Sequence, residues 1–346
     1  FWADLLANWS EPAKLARVAG DLHRLARDGS NQVLGWKGIA DAAERVVSRL
    51  PEGSDATKDA RFAQLVALRH EGHDALLELD REYLAGMRRP LRVRCLAHIA
   101  QSHGDCAEVL DPTIERAVAD TLPADSRDDS VDDFRLLGAT GRMLAAFFRY
   151  AAAEAALRRA VQGWFELDCI PEASHALSEL LRVLALTGPR QSFLVAAEEY
   201  AEPFLRDPRA DAVSRGFVLY SLGRGHALLG NHQDARHRLA DGACDWNLLP
   251  AHLRAVRLRW LANAVRAEDA ADPAKDCLKQ LSALTERTPT LGIVAVLAQL
   301  DSAQYRGSDA SAPLAAFQAT KPRDYRRFVE AYGQELGARI AREYRY

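Results

Sequence analysis

Two histidines and their acidic neighbours could bind a metal ion. His70 and His73 stand three residues apart and would share one face of a helix, with Glu71, Asp74 and Glu78 nearby. Imidazole and carboxylate groups are ligands for Zn²⁺, and a third ligand would have to come from another part of the chain. Clusters of this kind on Arg- and Glu-rich helices are usually solvated faces, and we therefore predict no metal site.

An arginine and a histidine near the start of the chain suggest a second kind of chemistry. Arg17 and His23 flank the segment Val-Ala-Gly-Asp-Leu. Their spacing resembles the loose arginine–histidine motif of HEPN-type ribonucleases, which are helical. The resemblance implies charge stabilisation and proton transfer at one scissile phosphate. In a chain with 10 His and 45 Lys plus Arg, the same spacing is expected by chance.

Other signatures of catalysis are absent from the sequence. It contains no P-loop, no GxGxxG after a strand, and no GxSxG or HExxH motif. His98, His103 and Cys106 flank a predicted turn and could converge, but no nucleophile is paired with a base. We predict no catalytic residues and no cofactor.

Charge and cysteine usage argue against several classes of protein. With 45 basic and 48 acidic residues, the net charge is −3, which is no basic signature for nucleic acid. The five cysteines are well separated and lack CxxC spacing, which indicates small buried side chains in a reducing compartment. No apolar run reaches the roughly 18 residues that a membrane helix needs. We expect a soluble, cytoplasmic protein without a membrane partner.

The elements that would hold these residues are helices. Ala, Leu, Arg and Glu dominate, apolar residues recur at helical spacing, and period-two alternation is rare. Turn signals separate the helices at 28–31, 51–55, 88–90, 103–105, 188–189, 229–231, 271–273 and 307–309. A chain of 346 residues exceeds the roughly 250–300 residues of a single core, so it either divides into domains or stacks repeats. We predict an all-α fold.

The predicted organisation has four parts. They are a less regular helical half (1–123), an acidic linker (124–130), a repeat region (131–320) and an amphipathic capping helix (321–346). The helix pairs predicted in the first part are 11–28/31–49, 55–70/73–88 and 90–103/105–121. A long loop inside one continuous solenoid explains the linker segment equally well. The last helix could instead bind another protein or a second copy of the chain.

One spacing recurs through the repeat region: a small residue, an alanine twelve residues later, then small or apolar residues four and three further on. The copies are Gly141/Ala153/Leu157/Ala160, Ala185/Ala197/Ala201/Phe204, Gly223/Ala235/Leu239/Gly242 and Ala262/Ala274/Leu278/Leu281, with a weaker fifth at Leu300/Ala312/Ala316/Ala319. Two antiparallel helices that cross closely need small side chains at the crossing, because a bulky one holds their axes apart. Each leading small residue is therefore predicted to face the alanine.

This pattern resembles the small and large consensus positions of the tetratricopeptide repeat. The third copy is the best match, with Gly223, Ala235 and Leu239. His226 stands where that repeat usually has an aromatic residue, no proline closes each unit, and the copies are close to 38–40 residues apart rather than 34. The resemblance covers residues 131–320 and implies an α-solenoid of stacked antiparallel helix pairs.

In a tetratricopeptide-like register, one row of side chains from successive first helices faces the concave groove or lies one helical turn from it. These side chains are Arg135, Arg142, Arg182, Tyr220, Arg224, Arg259, Asn263 and Arg266. Guanidinium groups bind carboxylates and phosphates in a bidentate manner, and Tyr220 offers a stacking surface. We predict that the groove binds an acidic or C-terminal-carboxylate peptide. Abundant arginine that serves solubility is the alternative, and nucleic acid would require more exposed aromatic side chains.

Two functional classes follow from these patterns. The first is a protein–protein interaction scaffold, adaptor or sensor, because repeat surfaces are extended and suit peptide capture. The first residue is Phe1 rather than Met, which leaves room for a larger regulatory or defence protein. The second class is a helical enzyme, either metal-dependent or a HEPN-like ribonuclease, that uses the histidine groups described above.

Overall fold

The protein is described by a computed structural model that is all-α. The described residues are 11–27, 35–70, 89–106, 110–123, 130–242, 244–249, 251–267, 271–287, 292–306 and 315. They form α-helices with two short 3-10 segments and one π turn, and none of them lies in a β-strand. The chain divides into two compact units, residues 1–160 and 161–346. The predicted all-α class is confirmed.

The described residues of the first unit form six helices and the beginning of a seventh. They are α1 (Pro12–Arg27), α2 (Gly35–Val47), α3 (Asp55–His70), α4 (Arg89–Cys106), α5 (Pro112–Ala119), α6 (Val131–Ala146) and the start of α7 (Tyr150–Glu166). Helix α3 contacts α1, α2 and α4, and α4 contacts α6. Large side chains that are fully buried among the described residues of this unit include Leu15, Leu22, Ile39, Phe62, Leu96, Leu136 and Met143.

The turns predicted at 103–105 and 271–273 are wrong, because the first lies inside α4 and the second is the start of the helix Ala271–Arg287. Gly104 faces α6, where an ideal Cβ would lie 2.9 Å from Cα of Met143. The glycine therefore allows two helices to approach closely and does not end a helix. The next helix begins at Pro112 instead, where the Asp111 side chain caps it by accepting the N–H of Thr113 at 2.8 Å.

The start of α6 is fixed by a fully buried carboxylate. The backbone N–H and the hydroxyl of Ser130 both donate to Asp133, at 2.8 and 2.7 Å. Arg89 donates to the other carboxylate oxygen at 2.7 Å. Residues 124–129 of the predicted linker lie outside the described residues, so the division at this segment stays a prediction.

The remaining described helices belong to the second unit. They are the end of α7, α8 (Ser174–Thr187), α9 (Arg190–Ala196), α10 (Glu202–Arg206), α11 (Ala212–Leu228), α12 (His232–Leu239), α13 (Ala251–Ala267), α14 (Ala271–Arg287) and α15 (Gly292–Arg306). Helix α8 contacts α9 and α11, α11 contacts α12 and α13, and α13 contacts α14 and α15. The first helices α8, α11 and α13 therefore each contact both the second helix of their pair and the next first helix.

The glycines that lead two of the repeat copies lie at close helix crossings. An ideal Cβ on Gly141 would lie 2.5 Å from Cγ of Leu157 and 3.2 Å from the carbonyl oxygen of Ala153. In the third copy, an ideal Cβ on Gly223 would meet the equivalent leucine at 2.4 Å and the equivalent alanine oxygen at 3.2 Å. Carbon atoms pack at about 3.5–4.0 Å, so any side chain there would force the helices apart. Two copies thus make the same contact at the same offsets.

The second and fourth copies bury their small residues without glycine. Ala262 and Leu281 belong to one buried cluster between α13, α14 and α15. In the second copy, residues 197–201 form a π turn between α9 and α10, and Ala201 and Phe204 are fully buried. The fifth copy beyond residue 306 and the capping helix predicted at 321–346 lie outside the described residues, apart from Ala315.

His226 fills the aromatic position of the third copy. It is buried on α11, and its ring meets Phe193 edge to face with the centroids 5.3 Å apart. Burial lowers the pKa of His226, and Asp234 on α12 offsets part of that shift. The neutral imidazole therefore packs as an aromatic ring would.

We expect substitution of Gly223 by alanine to destabilise the protein by about 1–3 kcal/mol, because the new Cβ overlaps Leu239. Gly20 in α1 is the matched control, since an added Cβ meets nothing within 4 Å there. Gly20→Ala should raise stability by about 0.5–1 kcal/mol through helix propensity. Urea denaturation of Gly223→Ala and Gly20→Ala compares their free energies of unfolding. The double variant Gly223→Ala/Leu239→Ala, which truncates the overlapping leucine, is measured beside them. Equal effects of the two single substitutions would contradict the close crossing.

We expect His226 to reduce the free energy of unfolding as the pH falls below about 6.5, since the unfolded chain then binds a proton more readily than the folded one. His226→Phe keeps the ring and removes this loss, so its stability should fall less between about pH 7.5 and 5.5 than that of the wild type. His237→Phe on α12 is the exposed control. Identical pH slopes for His226→Phe and the wild type would refute the assignment.

Candidate functional site

The predicted ligand-binding row of the second unit comes from helices that contact one another in succession, α8, α11 and α13. Arg182, Tyr220 and Arg224 are partly exposed on α8 and α11. Arg259 and Arg266 on α13 are buried, and Asn263 lies between them at intermediate exposure. The arginine side chains of the row are therefore partly exposed on α8 and α11 and buried on α13.

A buried carboxylate binds two of the predicted residues. Arg259 donates to Asp301 on α15 through Nε at 2.7 Å and Nη2 at 3.3 Å, and Asn263 donates to the same carboxylate at 2.8 Å. The Arg259 and Asp301 side chains are 5% and 1% exposed. The structure thus uses Arg259 and Asn263 to join α13 to α15.

Asp301 is missing from the sequence prediction, although a signal for it exists. It follows Leu300, the leading residue of the fifth copy, and so stands where Arg224 and Asn263 stand in their copies. A negative charge in an otherwise basic row could have indicated an internal partner for its neighbours. A prediction based on positive charge alone does not find this carboxylate.

The sequence prediction also did not include Trp260, whose indole ring contacts two arginines of the row. Trp260 on α13 is fully buried, and the guanidinium carbons of Arg224 and Arg259 lie 5.5 and 4.9 Å from its ring centre. Such cation–π contacts stabilise arginine near a low-dielectric environment. The buried Trp260 ring therefore packs against the guanidinium of Arg224, which belongs to the partly exposed part of the row.

The other residues of the row have partners of different kinds. Arg182 pairs with Glu179 one turn earlier on α8. Tyr220 packs against a buried cluster that includes Leu219 and Trp246. In the first unit, Arg135 pairs with Asp132 at 3.3 Å.

Arg142 also lies in the first unit, where it has intermediate exposure. Arg135 and Arg142 both belong to the first unit, whereas the other residues of the row belong to the second. Their assignment to a common ligand surface with the other residues stays a prediction.

The residues considered for catalysis have structural contacts where they are described. Nδ1 of His23 donates a hydrogen bond to the Asp59 carboxylate at 2.9 Å, and its ring stacks on Phe62, while Arg17 is exposed on α1. His103 accepts the backbone N–H of Asp111 at 2.8 Å and so stabilises the start of α5. These contacts hold helices together.

The described residues form no metal-binding group, and the thiol of Cys95 is not activated. No group of three or more His, Cys, Asp or Glu side chains among the described residues could hold a metal ion. The cluster around His73 lies outside the described residues, as does the side chain of His70. Burial is the main reason that the pKa of Cys95 is raised to about 12, so that thiol is not a nucleophile near neutral pH.

Comparison with known proteins gives no family for the chain. No protein-family model matches the sequence, and a search of curated proteins returns no match. Among the described helices, none combines the length and apolar character needed to cross a bilayer. The function of the chain must therefore be inferred from its own side-chain contacts.

We expect Asp301→Ala to destabilise the protein by about 3–5 kcal/mol, because it leaves the buried charge of Arg259 without this carboxylate. The double variant Arg259→Met/Asp301→Leu should recover most of that loss. Asp272→Ala is the matched control, since its ion pair with Lys275 is exposed and is worth less than about 1 kcal/mol. Thermal and urea unfolding measure all three. A loss in Asp301→Ala no larger than in the control would contradict the buried pair.

Proposed function

We propose that helices α8 to α15 form a tetratricopeptide-like stack whose first helices present a binding surface for a partner protein. The proposal is supported by the contacts of α8, α11, α13 and α15 in succession and by the crossing at Gly223. The equivalent crossing at Gly141 belongs to the pair α6 and α7. Stacked pairs of this kind leave an extended surface suited to peptides.

The ligand that we propose is an acidic segment or a C-terminal carboxylate of a partner protein. The observation that carries this proposal is the placement of Arg182 and Arg224 at intermediate exposure on two contacting helices, with Tyr220 one turn before Arg224. Guanidinium groups at such positions bind carboxylates with two parallel hydrogen bonds. Arg259 and Asn263 are assigned a positioning role, since they bind Asp301.

Trp260 strengthens this proposal for Arg224. The indole face lies 5.5 Å from the guanidinium carbon and restricts its movement. A restrained guanidinium loses less conformational entropy when it binds a carboxylate. Glu179 restrains Arg182 in a similar way, and an incoming carboxylate would compete with it.

Selection of a random peptide library on the 346-residue chain tests the proposal. We expect the enriched peptides to carry an excess of Asp and Glu or a conserved free C-terminus. In fluorescence anisotropy with an enriched peptide, Arg182→Glu/Arg224→Glu should weaken binding by at least about tenfold, since each charged hydrogen bond contributes roughly 1.5–3 kcal/mol. The control Arg206→Glu changes an exposed arginine on α10 and should leave the affinity unchanged.

Two results would reject this surface. One is an unchanged affinity of the double variant for the enriched peptide. The other is tighter binding of a single-stranded RNA than of any enriched peptide, which would favour phosphate recognition instead. Circular dichroism of each variant separates lost binding from lost folding.

A further inference from the structure

A cavity of about 330 Å³ lies between α13, α14 and the 3-10 turn at 246–248. Helix α13 lines it with Arg254, Arg257 and Leu258, which share one helix face. Helix α14 lines it with residues at the spacings i, i+3, i+4 and i+7, namely Gln280, Ala283, Leu284 and Arg287. Trp246 and Asn247 complete the lining. This volume lies at the small end of the range for small-molecule sites.

The cavity is strongly basic in a chain with a net charge of −3. Three of its described lining residues are arginines and none is acidic. Arg257 donates to the carbonyl oxygen of Leu239 at 2.6 Å, and its guanidinium lies 4.6 Å from the ring centre of Trp246. Nε of Arg254 is buried and has no hydrogen-bond partner among the described residues. Within that part of the chain, neither arginine forms an ion pair.

Arg254 and Arg257 are partly buried in a cavity whose described lining holds no carboxylate, and their desolvation is costly unless an anion binds there. Arg287 on α14 is exposed to solvent. Burial lowers the pKa of Arg257, which means that desolvation acts against its charge. A carbonyl oxygen and an aromatic face offset only part of that cost. An anion in the cavity would neutralise the charge and offer an acceptor to Nε of Arg254.

We propose that this cavity binds a small organic phosphate monoester. A phosphate monoester carries about −1.5 to −2 charges near neutral pH and several acceptor oxygens, so it matches several guanidinium groups better than one carboxylate does. The apolar wall formed by Leu258, Ala283 and Leu284 would contact the organic group. The site lies apart from the proposed peptide-binding row, since Arg257 and Arg259 are two residues apart and point about 160° apart around α13.

Calorimetric titration of the 346-residue chain with phenyl phosphate tests the proposal, with inorganic phosphate, benzoate and phenol as comparison ligands. We expect phenyl phosphate to bind at least about tenfold more tightly than each of the other three, because it alone combines the dianion with an apolar ring. Its affinity should fall as salt is added. Equal binding of benzoate or of inorganic phosphate would overturn the assigned ligand class.

Two variants connect the binding to this cavity. Arg254→Gln removes a charge and should weaken phenyl phosphate binding by at least about tenfold. Ala283→Phe fills the cavity from an exposed position on α14, leaves all three arginines in place and should abolish binding. Arg206→Gln is the matched control on α10 and should change nothing.

Retention of phenyl phosphate binding in Ala283→Phe would overturn the site even if Arg254→Gln failed to fold. Arg182→Glu/Arg224→Glu should bind phenyl phosphate like the wild type. Failure of the proposed peptide surface is therefore distinguishable from failure of this cavity.

Discussion

The close approach of paired helices at glycine is the constraint on which much of the second unit depends. At Gly223 the facing helix comes so near that an added Cβ would overlap the Leu239 side chain and lie 3.2 Å from the carbonyl oxygen of Ala235. Leu239, which makes that contact, is also the last residue of α12, and its carbonyl oxygen accepts the hydrogen bond of Arg257. Arg257 in turn covers Trp246. One tight crossing thus positions the basic cavity.

Glycine has this role more than once in the described chain. Gly104 allows α4 to approach the backbone of Met143 on α6, and Gly141 repeats the contacts of Gly223 in the first unit. The cost of a glycine inside a helix is about 0.5–1 kcal/mol relative to alanine. Closer packing along the whole interface offsets that cost, because a gap between two helices weakens the dispersion attraction of every atom that lines it.

Arginine is used at different depths, and the depth determines what each one can do. Arg259 is buried against Asp301, where the ion pair joins α13 to α15 and the cost of desolvating both charges offsets much of their attraction. Arg257 and Arg254 are partly buried without a carboxylate among the described residues, so they favour an anion. Arg182 and Arg224 are partly exposed beside Glu179 and Trp260, where they can exchange or share partners with a ligand. A count of arginines in the sequence could not separate these roles.

The sequence by itself determined the helical class, the turns at 51–55, 188–189 and 229–231, and the residues that meet at the crossings of Gly141 and Gly223. These features depend on local periodicity and on spacing within one helix pair, and both repeat along the chain. The tertiary structure decided that Gly104 is a packing position and that Asp301 binds Arg259 and Asn263. It also brought Trp246 and residues of α13 and α14 around one cavity. Such partners come from different helices, and their identity depends on how neighbouring pairs pack, which no spacing within a single pair encodes.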